Sequence, residues 1–219
     1  PPRNYEQAKT ILAQKRLLLL LGPPHIGKTA TALYMLAEFS KTKSLRSLIS
    51  CSSSSDLVYI TGICNAGILL DDAFGKVIFD EQRSGNESQA ILTLAENNYV
   101  IITSRAEVFR EALTYTRFGE VSIESNSIYL GQEGSYDDGK LGLIFQHHLE
   151  LALNRGLITQ EQADIANRHR TAILQELRFP HNMERFTMVH LSQVRRPGDI
   201  QVALRQSKEI EKASGQGYR

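Results

Sequence analysis

The stretch Gly22-Pro23-Pro24-His25-Ile26-Gly27-Lys28-Thr29 decides the fold of this chain. It fits the pattern G-x-x-x-x-G-K-[ST], follows the apolar run Leu17–Leu21 and precedes a segment with helical spacing. Glycines let such a loop turn its N–H groups towards phosphate oxygens, and the start of the helix adds a positive dipole end. The stretch therefore predicts a phosphate-binding loop between a buried strand and a helix.

The polar side chains of this loop predict a nucleotide with a metal ion. The Lys28 ammonium can reach the β and γ phosphates, and the Thr29 hydroxyl can bind Mg²⁺, which prefers oxygen ligands. We expect a purine nucleotide, ATP or ADP with Mg²⁺, held by the eight loop residues and by Ala30 after them. The sequence has neither a guanine signature nor an assigned adenine contact, so the choice between ATP and GTP stays open. His25 either places an imidazole near the γ-phosphate or is an exposed residue without a role. Tyr5 either stacks on adenine or packs in the core.

Two carboxylates follow a second apolar run, about 40 residues after the loop. Asp71 is expected to hold Mg²⁺, directly or through water, and Asp72 to orient or deprotonate the attacking water. Which aspartate takes which role stays open. The alternative is that the pair caps the next segment. The pair Asp80-Glu81 is a weaker rival, because no long apolar strand precedes it.

A third apolar run, residues 99–103, ends in Thr103-Ser104-Arg105. Ligands of open parallel sheets bind at the carboxyl ends of the strands, so these three residues are expected near the γ-phosphate. A guanidinium pairs well with phosphate oxygens, and Arg105 is therefore a candidate sensor of that phosphate. The alternative is a surface salt bridge at the start of a helix.

Strand and helix patterns alternate as far as about residue 130, which predicts an α/β parallel sheet with helices on both faces. A helix is predicted over residues 56–65, with Asp56 as its N-cap. Beyond residue 133 only helical patterns follow, over residues 137–155, 159–177, 182–194 and 197–213, and Thr159 with Gln162 predicts a capping box. We expect a nucleotide-binding domain over residues 1–132 and a small helical lid domain over residues 133–219.

The composition excludes several classes of protein. A formal net charge of +1 over 219 residues does not indicate nucleic acid as the main partner. Cys51 and Cys64 are too few for a disulfide framework and lack the spacing of a metal site, which favours a reduced, cytoplasmic setting. No apolar run is long enough to span a bilayer, so a membrane partner is not expected. The two ends of the chain suggest a module from a longer protein.

These motifs, in this order, resemble the STAND class of P-loop NTPases, which are relatives of the AAA+ ATPases. The resemblance is to the family called novel STAND NTPase 3, found in bacterial conflict and defence proteins. It rests on the loop, on residues 70–75 (Leu-Asp-Asp-Ala-Phe-Gly) and on residues 101–105. The helical part adds His148-Leu149 and an Asn-x-x-Arg signature that ends at Arg185.

The chain departs from the family pattern at three places. His25 stands where the family loop usually has glycine, and Ala73-Phe74-Gly75 replaces Phe-Leu-Gly. Glu184 stands before Arg185 where the family often has proline.

The resemblance implies a nucleotide-controlled switch. The ADP form rests, and ATP binding moves the lid and allows self-association, with slow hydrolysis and with sensor and effector regions outside this chain. It also implies that Arg185 contacts the nucleotide from the lid. Pro180 either lines the base pocket, as prolines do in related lids, or only marks a break between helices. The residues leave three alternatives open: an AAA+-like loader driven by nucleic acid, a small-molecule kinase, and a binding module without turnover.

Overall fold

The computed structural model describes residues 2–24, 26–51, 54–74, 81–115, 123–131 and 136–215. The chain divides into two compact units, Pro1–Ser135, called here the sheet unit, and Tyr136–Arg219, called the helical unit. The sheet unit contains the strands β1 (Leu17–Leu21), β2 (Ser47–Cys51), β3 (Ala66–Leu70), β4 (Tyr99–Ser104) and β5 (Ser127–Tyr129). Its helices are α1 (Tyr5–Lys15), α2 (Lys28–Lys43), α3 (Glu81–Asn97) and α4 (Ala106–Tyr115).

The five strands form one parallel sheet in the order β2-β3-β4-β1-β5. The last strand but one in sequence, β4, is inserted between β3 and β1, with Leu17 paired to Val100 and Gly67 paired to Tyr99. Parallel strands end at the same edge of a sheet. The residues that follow β1, β3 and β4 are therefore neighbours in space, although they are far apart in sequence.

Helices cover both faces of this sheet, as the alternating pattern predicts. On one face, side chains of β1, β3 and β4 join a core with α3 and α4 that includes Leu19, Ile68, Ile102, Ile91 and Phe109. The other face lies against α1 and α2. Gly67 marks the closest approach there, because a Cβ atom at this position would lie 2.7 Å from Leu48 Cδ2 and 3.1 Å from Leu36 Cδ2. Burial on both faces explains why the strands read as continuous apolar runs.

The helix predicted over residues 56–65 is shorter than expected. The chain forms a 3₁₀ helix over Ser54–Ile60, and Asp56 lies inside it rather than at an N-cap. Gly62 has φ +86° and Asn65 has φ +58°, and residues in this left-handed region end a helix. The Asn65 carbonyl, directly before β3, accepts a hydrogen bond from the N–H of Arg46, directly before β2. The pairing of β2 with β3 therefore begins at this point.

The helical unit contains α5 (Asp138–Asn154), α6 (Gln160–Arg168), α7 (Arg170–Glu176), α8 (Pro180–Arg185) and α9 (Asp199–Gly215). The capping box at Thr159 is confirmed: Gln162 N donates to Thr159 Oγ1, and Thr159 N donates to Gln162 Oε1 over 2.9 Å. The single helix predicted over residues 159–177 is broken at His169, which caps both α6 and α7.

The segment predicted as a helix over residues 182–194 also differs. It begins earlier, at Pro180, because proline lacks an N–H and is accepted at the first helical position. It then widens into one π-helical turn at Phe186–His190 and tightens into a 3₁₀ turn at Leu191–Gln193. Phe186, the first residue of the π-helical turn, is fully buried. None of the helices in the described part of the chain is both long and apolar enough to cross a membrane.

Candidate functional site

The loop after β1 has a backbone that only glycine accepts at its first position. An ideal Cβ atom on Gly22 would lie 2.0 Å from Leu130 O, which no side chain can tolerate. Gly27 has φ +92° at the N-cap of α2, in the region where side chains cause strain. The two glycines of the pattern therefore have separate roles. Gly22 allows the close approach of Leu130, which follows β5, and Gly27 allows the turn into α2.

Lys28, the first residue of α2, folds back over its own loop. Its Nζ donates to Gly22 O at 3.1 Å and to Pro23 O at 2.8 Å, and the residue is only 7% exposed. Burial lowers the pKa of Lys28, the charge of Arg105 lowers it further, and the carboxylates of Asp72 and Asp71 oppose this shift. A buried ammonium beside a glycine-rich loop is suited to bind an anion such as a phosphate.

The pH dependence of stability should report this buried charge. Because the folded-state pKa of Lys28 is lowered, the unfolded chain binds more protons between that pKa and 10.5, and stability rises with pH in this window. The Lys28→Met variant lacks this dependence. We expect its free energy of unfolding, relative to wild type, to fall as the pH is raised from 7 towards 10.5. Urea unfolding at a series of pH values measures the difference, and a constant difference would contradict the shift.

Side chains from α2 and β4 meet at the carboxylate of Asp71. The Thr29 hydroxyl, in the first turn of α2, donates to Asp71 Oδ1 over 2.7 Å. The Thr103 hydroxyl, in β4, donates to the same oxygen over 2.6 Å. Asp71 itself follows β3, and its N–H donates to Cys51 O at the end of β2. The structure thus brings the hydroxyl and the carboxylate expected to bind Mg²⁺ into direct contact.

Asp72 is held in an unusual backbone conformation beside this contact. Its φ is +49°, which is uncommon for a residue other than glycine, and its N–H donates to Thr103 Oγ1 over 2.9 Å. Backbone strain of this kind persists where the surroundings fix it, and it is frequent at functional sites. Thr103 therefore orients both aspartates, one through its proton and the other through its oxygen. The sequence predicts Thr103 near the site, but this role depends on β4 lying beside β3 and is visible only in the structure.

Arg105 lies at the start of α4, where its carbonyl accepts the N–H of Phe109. The charges of Arg105, Asp71 and Asp72 all act on the Lys28 ammonium, so the four predicted charged residues form one group. His25 and Asp80 lie outside the described residues. Two cations, two carboxylates and the Thr29 hydroxyl at one edge of the sheet provide the groups needed to bind a phosphate chain and a hard metal ion.

Two of the predicted binding residues lie in the helical unit. Pro180 is the first residue of α8 and Arg185 is the last, and both are half-buried. Their roles towards a nucleotide remain predictions.

Tyr5 packs in the core of the sheet unit. It is 3% exposed, its ring centroid lies 5.7 Å from that of Tyr34, and its hydroxyl donates to Glu38 Oε2 over 2.8 Å. Burial raises the pKa of the Tyr5 hydroxyl, and the bonded Glu38 carboxylate raises it further. Of the two interpretations of Tyr5, packing is the one that the structure favours, and the residue joins α1 to α2.

Solved structures share this fold at low sequence identity. PCH-2 of Caenorhabditis elegans is 14% identical, with a TM-score of 0.56 over 95% of this chain and 68% of that chain. A Walker-type ATPase of Pyrococcus abyssi is 14% identical, with a TM-score of 0.53 over 97% and 73%. Domain III of the replication initiation protein DnaA of Thermotoga maritima is 11% identical, with a TM-score of 0.52 over 94% and 92%. At these identities the similarity shows the fold, which is that of the AAA+-like P-loop NTPases.

The sequence itself was also compared with curated proteins and with protein families. No curated protein matches the chain. The family described as Novel STAND NTPase 3 matches residues 1–151, which include the phosphate-binding loop, the two aspartates and Arg105. The chain therefore belongs to the novel STAND NTPase 3 family, as its motifs predict.

Proposed function

We propose that this chain is the switch module of a larger cytoplasmic signalling or antiviral defence protein, and that it binds ATP with Mg²⁺ and hydrolyses it slowly. The observation that carries the proposal is the meeting of the loop and the acidic pair at the carboxyl edge of the sheet. There Thr29 Oγ1 lies 2.7 Å from Asp71 Oδ1, and the Asp71 and Asp72 charges act on Lys28. Membership of a STAND family supports the switching role.

Mg²⁺ fits the chemistry of the groups around Asp71. Thr29 offers a hydroxyl oxygen and Asp71 a carboxylate, and Mg²⁺ prefers such oxygen ligands together with water and phosphate oxygens. We infer that Thr29 and Asp71 hold the ion, and that Asp71 does so directly or through water. When bound, the ion would neutralise the charge that develops on the β and γ phosphates.

Hydrolysis requires a group that orients the attacking water, and Asp72 is the candidate. The hydrogen bond from its N–H to Thr103 holds the backbone of Asp72 beside Asp71, and a carboxylate at that place can accept a proton from water. Lys28 and Arg105 supply positive charge for the phosphate oxygens.

The same contacts can drive a switch. A ligand shifts a two-state equilibrium only through contacts that differ between the states. In our proposal the γ-phosphate supplies them, through Lys28 and Arg105 in the sheet unit and Arg185 in the helical unit. ADP lacks that phosphate, so the nucleotide state would set the position of the helical unit and the tendency of the chain to self-associate.

The metal-binding part of the proposal is tested with Asp71→Asn. We expect wild type to bind ATP at least about tenfold more tightly with Mg²⁺ than with EDTA. The variant should lose most of this difference, because an amide is a weaker ligand for Mg²⁺ than a carboxylate. Asp164→Asn, on the exposed surface of α6, is the matched control. An undiminished Mg²⁺ effect in Asp71→Asn would refute this role.

Two further measurements distinguish the nucleotide-controlled switch from a loader driven by nucleic acid. Analytical ultracentrifugation with a non-hydrolysable ATP analogue and with ADP measures self-association, which the proposal expects only with the analogue. Turnover is measured with and without DNA or RNA. Strong stimulation by nucleic acid would favour the loader instead.

A further inference from the structure

The two residues that follow β5, Leu130 and Gly131, contact the first two residues of the phosphate-binding loop. Leu130 N donates to Leu21 O over 2.7 Å, which continues the pairing of β5 with β1 up to the loop. Leu130 O lies so close to Gly22 that a Cβ atom on Gly22 would be only 2.0 Å from it. The exit from β5 therefore forms one wall of the loop.

Gly131 makes the second contact, with the ring of Pro23. A Cβ atom on Gly131 would lie 2.7 Å from Pro23 Cδ and 2.9 Å from Pro23 Cγ. Gly131 has φ +110°, a conformation that side chains rarely adopt. Residues 22–23 and residues 130–131 thus lie in close contact at two glycines, one on each side.

We propose that Leu130 and Gly131 are positioning residues for the phosphate-binding loop, and that they pass its movements to the chain that enters the helical unit. The proposal rests on the proposed function, since it requires that the loop binds nucleotide. Backbone N–H groups of such a loop bind phosphate only when the loop conformation directs them at the same oxygen atoms. Residues that hold the loop in that conformation therefore affect the affinity. Gly131 lies five positions before Tyr136, where the helical unit begins, so a shift of the loop has a short covalent route to that unit.

The test uses Gly131→Ala, Pro23→Ala, the double variant and a control. The control is Gly62→Ala, because Gly62 also has positive φ (+86°) but a Cβ atom there meets nothing within 4 Å. Calorimetry with ATP and Mg²⁺ gives the dissociation constant, and thermal unfolding gives Tm. Hydrogen exchange of α5 at saturating ATP and at saturating ADP measures the transmission.

We expect Gly131→Ala to weaken ATP binding at least about tenfold, because the added methyl group pushes Pro23 out of place. Pro23→Ala removes the ring atoms that the methyl group meets. The double variant should therefore bind within about threefold of Pro23→Ala alone. Gly62→Ala should lower Tm without changing the affinity. The exchange difference between ATP and ADP in α5 should be present in wild type and lost in Gly131→Ala.

Each contrary result has a distinct meaning. Wild-type affinity in Gly131→Ala, or a double variant that binds no better than Gly131→Ala, would overturn the positioning role. An exchange difference unchanged in Gly131→Ala would overturn the transmission. If wild type itself binds no nucleotide, the proposed function fails and this inference fails with it.

Discussion

Replacing Lys28 with alanine is expected to weaken the binding of ATP with Mg²⁺ about a hundredfold or more, while the fold remains intact. The ammonium is the charged donor at the mouth of the loop, and hydrogen bonds to charged groups contribute about 1.5–3 kcal/mol each. Lys28 is buried and its pKa is lowered by that burial, so its removal relieves a desolvation cost rather than opening a hole in the core. Calorimetry gives the affinity and urea unfolding gives the stability.

Lys41→Ala is the matched control for this prediction. Lys41 belongs to the same helix, α2, but lies exposed in its last turn, far along the helix from the loop. Its removal should leave the affinity for ATP unchanged. Equal affinities of Lys28→Ala and Lys41→Ala would show that the loop does not bind the phosphates.

Replacing Asp72 with asparagine should lower the rate of ATP hydrolysis by about 100- to 10,000-fold, the usual contribution of a general base. Binding of ATP should change by less than about threefold, because the substitution leaves the loop untouched. Asparagine accepts the left-handed conformation that Asp72 adopts at φ +49°, so the hydrogen bond from its N–H to Thr103 should survive. Single-turnover hydrolysis and calorimetry measure the two quantities on the same protein.

Asp71→Asn is the informative comparison for this variant, since the sequence left the roles of the two aspartates open. Asp71 accepts the Thr29 hydroxyl, and our proposal therefore assigns the metal to Asp71. We expect Asp71→Asn to lose the Mg²⁺ effect on binding, and Asp72→Asn to keep it. The opposite pattern, with hydrolysis intact in Asp72→Asn and the Mg²⁺ effect intact in Asp71→Asn, would assign the roles the other way round.

The loop could be predicted because its physics is local. Gly27 provides the turn into α2, and the strand before the loop and the helix after it are visible in the apolar pattern. The acidic pair could be predicted for a similar reason, as two carboxylates that directly follow a buried strand. The capping box at Thr159 is another local signal, and it is confirmed.

The contacts between these segments could not be predicted in the same way. That Thr103 bonds to Asp71 depends on β4 lying next to β3, and strand order is set by how the crossover helices pack rather than by any one segment. The contact of Gly131 with Pro23 likewise requires β5 beside β1.

Breaks and irregular turns within the helices are harder to predict from the sequence than the loop is. The apolar spacing continues across the break at His169, from Ile165 to Ile173, so periodicity alone gave one helix where the chain forms two. The same spacing shows no sign of the π-helical turn at Phe186–His190. Both features follow from packing within the helical unit, which overrides local propensity.

A crystal structure of the chain with Mn²⁺ in place of Mg²⁺ and a non-hydrolysable ATP analogue would test the central claim most directly. Anomalous scattering locates the ion without reference to the protein. We predict the ion beside Thr29 Oγ1 and Asp71, with the β and γ phosphates at Lys28 and the γ-phosphate within reach of Arg105. An ion away from Asp71, or phosphates bound elsewhere than residues 22–29, would contradict the account.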